Sequence, residues 1–323
     1  MTASRTATAV AHSNIALSKY WGKLPVEGNY PAVPSLSVTL GAMSTTTTVR
    51  FDPSLAEDTL VLNGEALGGA TRPTQRASEL LERVRRASGV TDFASVHSAN
   101  DFPTASGLAS SASGFAALAL AAVTAAGLDW SLDRVADLAR RSSASAARSI
   151  FGGFVALEDG VATPVAPPSA LAMRVLVCVT TEAAKTTSST DGMRHTQDAS
   201  PYYAAWLQDA PKAHAQLRAA LAQGDWPRLG QIAERSALAM HACAMAAGVV
   251  YMTGATLAAL AEVRTMRSQG ILAYATIDAG PHLKCLVREA DAEQARARLA
   301  QVAGVIRVLE SAPGQGARIV PGL

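Results

Sequence analysis

Five short segments of this chain carry side chains that could do chemistry on an anion. Asn14-Ile-Ala-Leu-Ser-Lys-Tyr-Trp-Gly-Lys23 sets Lys19, Tyr20 and Lys23 beside a glycine. Two ammonium charges and a phenol there can face a phosphate or a carboxylate, although a plain surface strand end would have the same look. Asp101-Phe-Pro-Thr-Ala-Ser-Gly-Leu-Ala-Ser-Ser-Ala-Ser113 is a turn of small residues that runs straight into the apolar stretch 114–126. A helix starting this way gathers unpaired backbone N–H groups and the positive end of the helix dipole at one point, which is how helices bind anions. Pro103 sets the entry, Gly107 permits close backbone approach, and Ser110, Ser111 and Ser113 add hydroxyl donors. A well-capped core helix accounts for the same composition. No Gly-Lys-Ser/Thr follows, so the turn is not a Walker A loop.

The third segment, Ser142-Ser-Ala-Ser-Ala-Ala-Arg-Ser149, ends in an arginine that could clamp phosphate bidentately while Ser143 and Ser145 donate. Gly152 and Gly153 directly behind it predict an ordered turn and not a loose linker. The fourth, Lys185-Thr-Thr-Ser-Ser-Thr-Asp-Gly-Met193, offers Ser188, Ser189 and Thr190 as helix caps first and ligand contacts second. In the fifth, Thr276-Ile-Asp-Ala-Gly-Pro-His282, a lone carboxylate, Asp278, closes an apolar strand. By itself this is turn chemistry. It gains meaning only if the other segments converge on it. Three phosphate-friendly segments, one carboxylate and two lysines are what an ATP-dependent phosphoryl-transfer site requires.

Elements must bring these segments together. Strands are predicted at 5–11, 45–51, 60–64 and 93–98, with helices at 74–88, 107–126 and 132–141. Phe151-Gly-Gly-Phe-Val155 turns into a further strand. After the Pro-rich connector 163–169, a strand at 173–179 is followed by helices at 189–198, 202–222, 227–246 and 254–269. Strands at 272–278 and 283–288, a helix at 291–302 and a strand at 304–309 lead into a Gly/Pro tail. Strands and helices alternate without a regular βαβ count, which argues for an α+β fold. The connector divides the 323 residues into two domains, 1–170 and 171–323.

Bulk composition narrows the function. Hydrophobic content of 49% and charged content of 17% describe a globular chain. A net charge of +2, with no basic stripe interleaved with aromatics, argues against nucleic acid as a partner and permits an anionic small molecule. Cys178, Cys243 and Cys285 are widely spaced in apolar company, so free buried thiols in a reducing cytoplasm are expected. No Cys or His pair has zinc-ligand spacing. No signal peptide is read at the N-terminus, and the apolar run 114–126 is too short to span a bilayer.

Taken in order, the segments resemble the mevalonate diphosphate decarboxylases of the GHMP kinase superfamily. The resemblance runs from about residue 6 to residue 290. It rests on residues 14–23, Pro-Ser-Leu-Ser-Val-Thr-Leu (34–40), 100–114, Arg-Ser-Ile-Phe-Gly-Gly-Phe-Val (148–155), Ser-Ser-Thr-x-Gly-Met (188–193), Met-His (240–241) and Asp-Ala-Gly-Pro (278–281). It implies a GHMP-kinase-like fold, with a ribosomal-protein-S5-like N-terminal domain, a ferredoxin-like C-terminal domain and the active site in the cleft between them. It also implies ATP on the loop formed by Pro103, Ser106, Gly107, Leu108, Ala109, Ser110 and Ser111, with Mg²⁺ on Ser111. The anionic tail of a mevalonate diphosphate would fall to Tyr20, Lys23, Ser143, Ser145, Arg148 and Ser189, and Asp278, Lys19 and Arg148 would form the catalytic set. A homodimer is a further family-level expectation. Ser142 and Ala144 stand where the family has glycines, which leaves a monophosphate or another 3-hydroxy acid open as substrate. A kinase that does not decarboxylate and a ligand-binding paralogue are the remaining readings.

Overall fold

The computed structural model describes residues 5–102, 110–183 and 186–321. The chain opens with the long strands β1 (Thr6–Ser18) and β2 (Ser35–Asp52) and the short β3 (Thr59–Leu62) and β4 (Glu65–Leu67). Helix α1 (Arg72–Ser88), β5 (Phe93–Asn100), α2 (Ser110–Ala125), α3 (Leu132–Ser142), α4 (Ala146–Ile150), β6 (Phe154–Glu158) and β7 (Val161–Ala166) follow. The rest comprises β8 (Met173–Val179), α5 (Ser189–Ala199), α6 (Tyr203–Gln223), α7 (Trp226–Ala246), α8 (Gly254–Ser268), β9 (Tyr274–Ile277), β10 (Leu283–Arg288), α9 (Ala292–Leu299), β11 (Arg307–Ser311) and β12 (Arg318–Val320).

The architecture is α+β with two sheets. In the first the order is β12-β1-β2-β5-β3-β4, with β6 and β7 branching from β2. In the second it is β11-β8-β10-β9. Helix α2 is apolar on nearly every side, and a helix of that kind must be buried. Its alanines let it lie close against β1 and β2, with α3 and α4 packed alongside. A second core joins the two sheets: Ile15, Leu36 and Phe154 from the first meet Val175, Leu217 and Tyr274 from the second half. This shared core fixes the end of β1 against the end of β9.

Several elements differ from the sequence expectation. The Pro-rich connector contains β7, because β7 pairs only with β6 and an edge strand tolerates Pro164. The Gly/Pro tail contains β12, which returns to pair with β1. The strand read at 304–309 lies at Arg307–Ser311. Segment 142–149 is ordered, ending in the short helix α4. The turn at 103–109 lies outside the described residues. None of the described helices is long and apolar enough to cross a membrane.

Candidate active site

Lys19 directly follows β1 and Asp278 directly follows β9, so the packing of the two strand ends creates the centre of the site. The Ala16 carbonyl ties them together, accepting from Lys19 Nζ (2.8 Å) and from Thr276 Oγ1 on β9 (3.2 Å). The Lys19 backbone N–H donates to Ser236 Oγ on α7 (3.0 Å), which holds the turn in place. Lys19 Nζ also donates to Asp278 Oδ1 at 2.5 Å. Across the sheet Lys284 on β10 pairs with Thr276, on the same face as the core between the sheets. Its Nζ lies 3.2 Å from Asp278 Oδ2, an ion-pair distance without hydrogen-bond alignment. Each carboxylate oxygen therefore has its own ammonium.

The charges shift one another. Lys19 is 2% exposed, and burial lowers it from 10.5 to about 8 even though Asp278 opposes the change. Burial alone would raise the Asp278 carboxyl, but Lys19 and Lys284 outweigh it and hold the group well below the usual carboxylate range. Asp278 is thus favoured as an anion of lowered basicity, suited to orienting a hydroxyl.

Around this centre lies a cavity of about 630 Å³. Six cationic side chains line it (Lys19, Lys23, Arg72, Arg76, Arg141 and Arg148) against two carboxylates, Glu79 and Asp278. A cleft so charged favours a polyanion. The cations fall into two groups. Arg148 on α4 is 3% exposed, donates to Ser35 Oγ (2.6 Å) and to Asn14 Oδ1 (3.2 and 3.3 Å), and is lowered by burial to about 10 in the field of Asp278 and Tyr20. Lys23 is lowered to about 8 by burial and then by Arg76 and Arg72. Its Nζ donates to Asn29 Oδ1 (2.7 Å), whose amide donates to the Arg141 carbonyl (2.7 Å). Arg76 stacks over Phe115 and donates to the Ser142 carbonyl. Arg76 thereby touches the 142–145 turn, and Lys23 reaches its flank through Asn29.

That turn is held from below by Asn14, whose Nδ2 donates to the Ser145 carbonyl (3.0 Å) and Ser149 Oγ (2.7 Å). Ser143 and Ser145 hydroxyls lie 3.3 Å apart at the cavity wall. Tyr20 Oη and Ser142 Oγ are buried with no hydrogen-bond partner among the described residues, and both side chains line the cavity. An orphaned buried hydroxyl costs stability unless a ligand satisfies it. Ser188 caps α5 by accepting from the Asp191 N–H (3.1 Å), which brings Ser189 to the cavity edge. Gly22 adopts φ +111°, and a Cβ there would collide with Tyr203 Oη, so glycine is needed between Trp21 and Lys23.

Of the residues singled out from sequence, Lys19, Tyr20, Lys23, Ser110, Ser111, Ser143, Ser145, Arg148, Ser189 and Asp278 all line this cavity. Pro103, Ser106, Gly107, Leu108 and Ala109 lie outside the described residues. Sequence reasoning missed Lys284, Arg72, Arg76, Arg141 and the organising part played by Asn14. A charge inside the apolar run Leu283-Lys-Cys-Leu-Val287 was the available signal for Lys284, and the four-residue spacing of Arg72 and Arg76 was the signal for helix α1. The donor set fits phosphate ligands. Ser111, exposed in the second position of α2, offers a hydroxyl of the kind that holds Mg²⁺ carried on phosphates.

Two packed sheets with a cationic cleft where their strand ends meet define the GHMP-kinase-like class. Residues 11–166 match the diphosphomevalonate decarboxylase-like N-terminal domain, and residues 175–314 match the mevalonate 5-diphosphate decarboxylase C-terminal domain. The chain belongs to the diphosphomevalonate decarboxylase family. It is 31% identical to the diphosphomevalonate decarboxylase of Candida albicans, over 96% of this chain and 97% of that one. It is 33% identical to a phosphomevalonate decarboxylase of Haloferax volcanii, over 85% of this chain and 86% of that protein. Among solved structures, MDDEF in complex with MVAPP, AMPPCP and magnesium superposes with a TM-score of 0.90 at 39% identity, covering 98% of this chain and 99% of that chain.

Proposed function

We propose that this protein catalyses the ATP-dependent decarboxylation of mevalonate 5-diphosphate to isopentenyl diphosphate, releasing ADP, phosphate and CO₂ by way of transient phosphorylation of the 3-hydroxyl. The observation that carries the reading is the carboxylate of Asp278, held between two buried lysines in a cavity whose charged lining is mostly cationic. ATP supplies the phosphoryl group, and Mg²⁺, when bound, neutralises phosphate charge. Ser110 and Ser111, at the start of α2, are the described residues that would hold them.

The chain's own side chains divide the remaining work. Asp278 accepts from the tertiary hydroxyl and aims its oxygen. Its lowered basicity makes it an orienting group, and the hydroxyl proton passes to the transferred phosphoryl group as the new O–P bond forms. Lys19 offers positive charge to the phosphate that departs from the same carbon. Departure builds positive character on that carbon, which loss of the neighbouring carboxylate as CO₂ quenches to an alkene. Arg148 shares the Asp278 end of the cavity and suits that carboxylate as a bidentate partner before it is lost. Tyr20, Lys23, Ser143, Ser145 and Ser189, with Arg72, Arg76 and Arg141, take the phosphate tail.

The relative from Haloferax volcanii, together with the side chains of Ser142 and Ala144, supports a second reading in which the tail is a monophosphate. Lys23, Arg72, Arg76 and Arg141 in the cavity lining favour the diphosphate. Assays of ADP and CO₂ release with mevalonate 5-diphosphate and mevalonate 5-phosphate separate the two. Faster turnover of the diphosphate is expected. ADP without CO₂ from either compound would overturn the decarboxylase assignment. The division into domains 1–170 and 171–323, the homodimer and the cytoplasmic location belong to this proposal as well. Buried free thiols at Cys178, Cys243 and Cys285 support a reducing compartment.

A further inference from the structure

Lys284 is assigned no contact with substrate in the chemistry above, yet it is among the most deeply buried charges of the protein, 1% exposed. A lysine in the middle of an apolar strand loses its hydration and must recover that free energy locally. Its neighbours in the ladder are Thr276 on β9 and Val177 on β8, neither of which carries charge. Nζ makes no hydrogen bond among the described residues, and its ion-pair partner is Asp278 Oδ2 at 3.2 Å. Lys19 holds the other oxygen at 2.5 Å from the opposite side. The two lysines reach the carboxylate from different sheets, so the clamp exists only when the end of β1 is seated against β9 and β10. The side chain of Asp278 keeps 22% exposure and lines the cavity, while Oδ2 itself is buried against Lys284.

We propose that Lys284 is a positioning residue for Asp278: with Lys19 it clamps the carboxylate, one ammonium per oxygen, and keeps it ionised and aimed into the cavity. Lys284 touches no substrate in this scheme and acts through Asp278. The charged and titratable groups around Asp278 are Lys19 at the end of β1, Lys284 on β10, Arg148 on α4 and His241 on α7. Removing Lys284 leaves Lys19 and the more distant Arg148 to hold the carboxylate, so its basicity rises toward the ordinary range. One lost opposite charge at this distance is worth about one to three pH units.

The proposal rests on the reading of Asp278 as the group that orients the substrate hydroxyl. It is tested by the pH dependence of kcat for ADP release with ATP and mevalonate 5-diphosphate. CO₂ is measured alongside, so that failure of the decarboxylase reading shows separately. In the wild type, kcat is expected to stay flat on the acid side down to about pH 4, because Asp278 remains ionised. Lys284→Met is expected to introduce an acid limb with its midpoint in the ordinary carboxylate range of about pH 4, shifted up by about one unit or more, with kcat about halved there and recovered by about pH 6. KM for either substrate is expected to change less than about threefold. Lys284→Gln, a polar replacement should the Met variant fold poorly, is expected to show the same limb. Lys284→Arg, which keeps the charge, is expected to keep the wild-type pH dependence. A loss of rate equal at every pH in folded Met and Gln variants would overturn the proposal, since that is the signature of a structural role alone. So would an Arg variant that acquires the acid limb.

Discussion

Replacing Lys19 by methionine tests the electrostatic core of the proposed chemistry, because the substitution keeps length and burial while deleting one charge. A phosphate departing about 4 Å from Nζ, at an effective dielectric of about 20, interacts with the ammonium by about 4 kcal/mol. That is roughly a 10³-fold effect on rate. Removal of a single preorganised donor elsewhere costs about 10²–10³-fold, which brackets the same value. Lys19→Met is therefore expected to lose about 10²–10³-fold in kcat, measured as ADP release under saturating ATP and mevalonate 5-diphosphate. The pH profile gives an independent signature. With Lys19 lowered to about 8, the ammonium is about nine-tenths populated at pH 7 and about one-tenth at pH 9. Wild-type kcat is expected to fall on the basic side with a midpoint near 8, and Lys19→Met should remove that limb while lowering the plateau. Lys23 is lowered to about 8 as well, but it belongs to the tail end of the cavity. Its titration should appear in kcat/KM and vanish from kcat once substrate is saturating. A Lys19→Met enzyme that keeps the wild-type basic limb in kcat, or a wild type flat to pH 9.5, would refute the role given to Lys19.

Two further outcomes are expected. Tyr20→Phe deletes a buried hydroxyl with no partner among the described residues, so unfolding by urea should show stability unchanged or slightly raised, while KM for the diphosphate substrate rises about fivefold. A fall in stability with unchanged KM would mean that the hydroxyl serves the fold. His241 and His282 are both fully buried. Burial, reinforced by Lys19 and Lys284 for the first and by Lys284 and Arg307 for the second, lowers them from 6.5 to about 4 and about 3. The unfolded chain takes up each proton near pH 6.5 and the folded chain does not, so stability is complete above 6.5 and lost as pH falls. The loss is about 1.4 kcal/mol per pH unit per histidine, or about 4 kcal/mol for the pair between pH 6.5 and 5. Urea unfolding at these two pH values measures it, and His241→Gln with His282→Asn should flatten the dependence.

Much of the site was legible because its residues sit in small-residue turns between apolar runs. Asp278 could be found at the end of a strand closed by Gly-Pro, and Arg148 could be found before a Gly-Gly turn. What escaped notice depends on pairing between distant segments. Lys284 reads as an ordinary strand charge until β10 is set against β9 and its side chain turns into the core between the sheets. Arg72 and Arg76 read as a solvated face of α1 until Phe115 and the Ser142 carbonyl meet Arg76 from two other helices. Asn14 looks like one polar residue in an alternating strand, yet it supports both the serine turn and the Arg148 guanidinium. Among fold elements, β12 is three residues long and carries too little pattern to be seen. β7 was hidden by prolines that only an edge position accommodates.

The pairing of β12 with β1 has a consequence for how the protein is made. Thr8 lies opposite Val320, so the outer edge of β1 at Thr8–Val10 stays uncovered on the ribosome until residues 318–320 have been synthesised. β1 is the strand that leads into Lys19, and during that interval it presents an open row of backbone donors and acceptors to any neighbouring chain. Contacts this remote in sequence also form late and slowly. Nascent chains halted before residue 318 should therefore be prone to join edge to edge. β12 acts in effect as a cover for this part of β1, leaving a three-residue strand as the outer edge of the sheet.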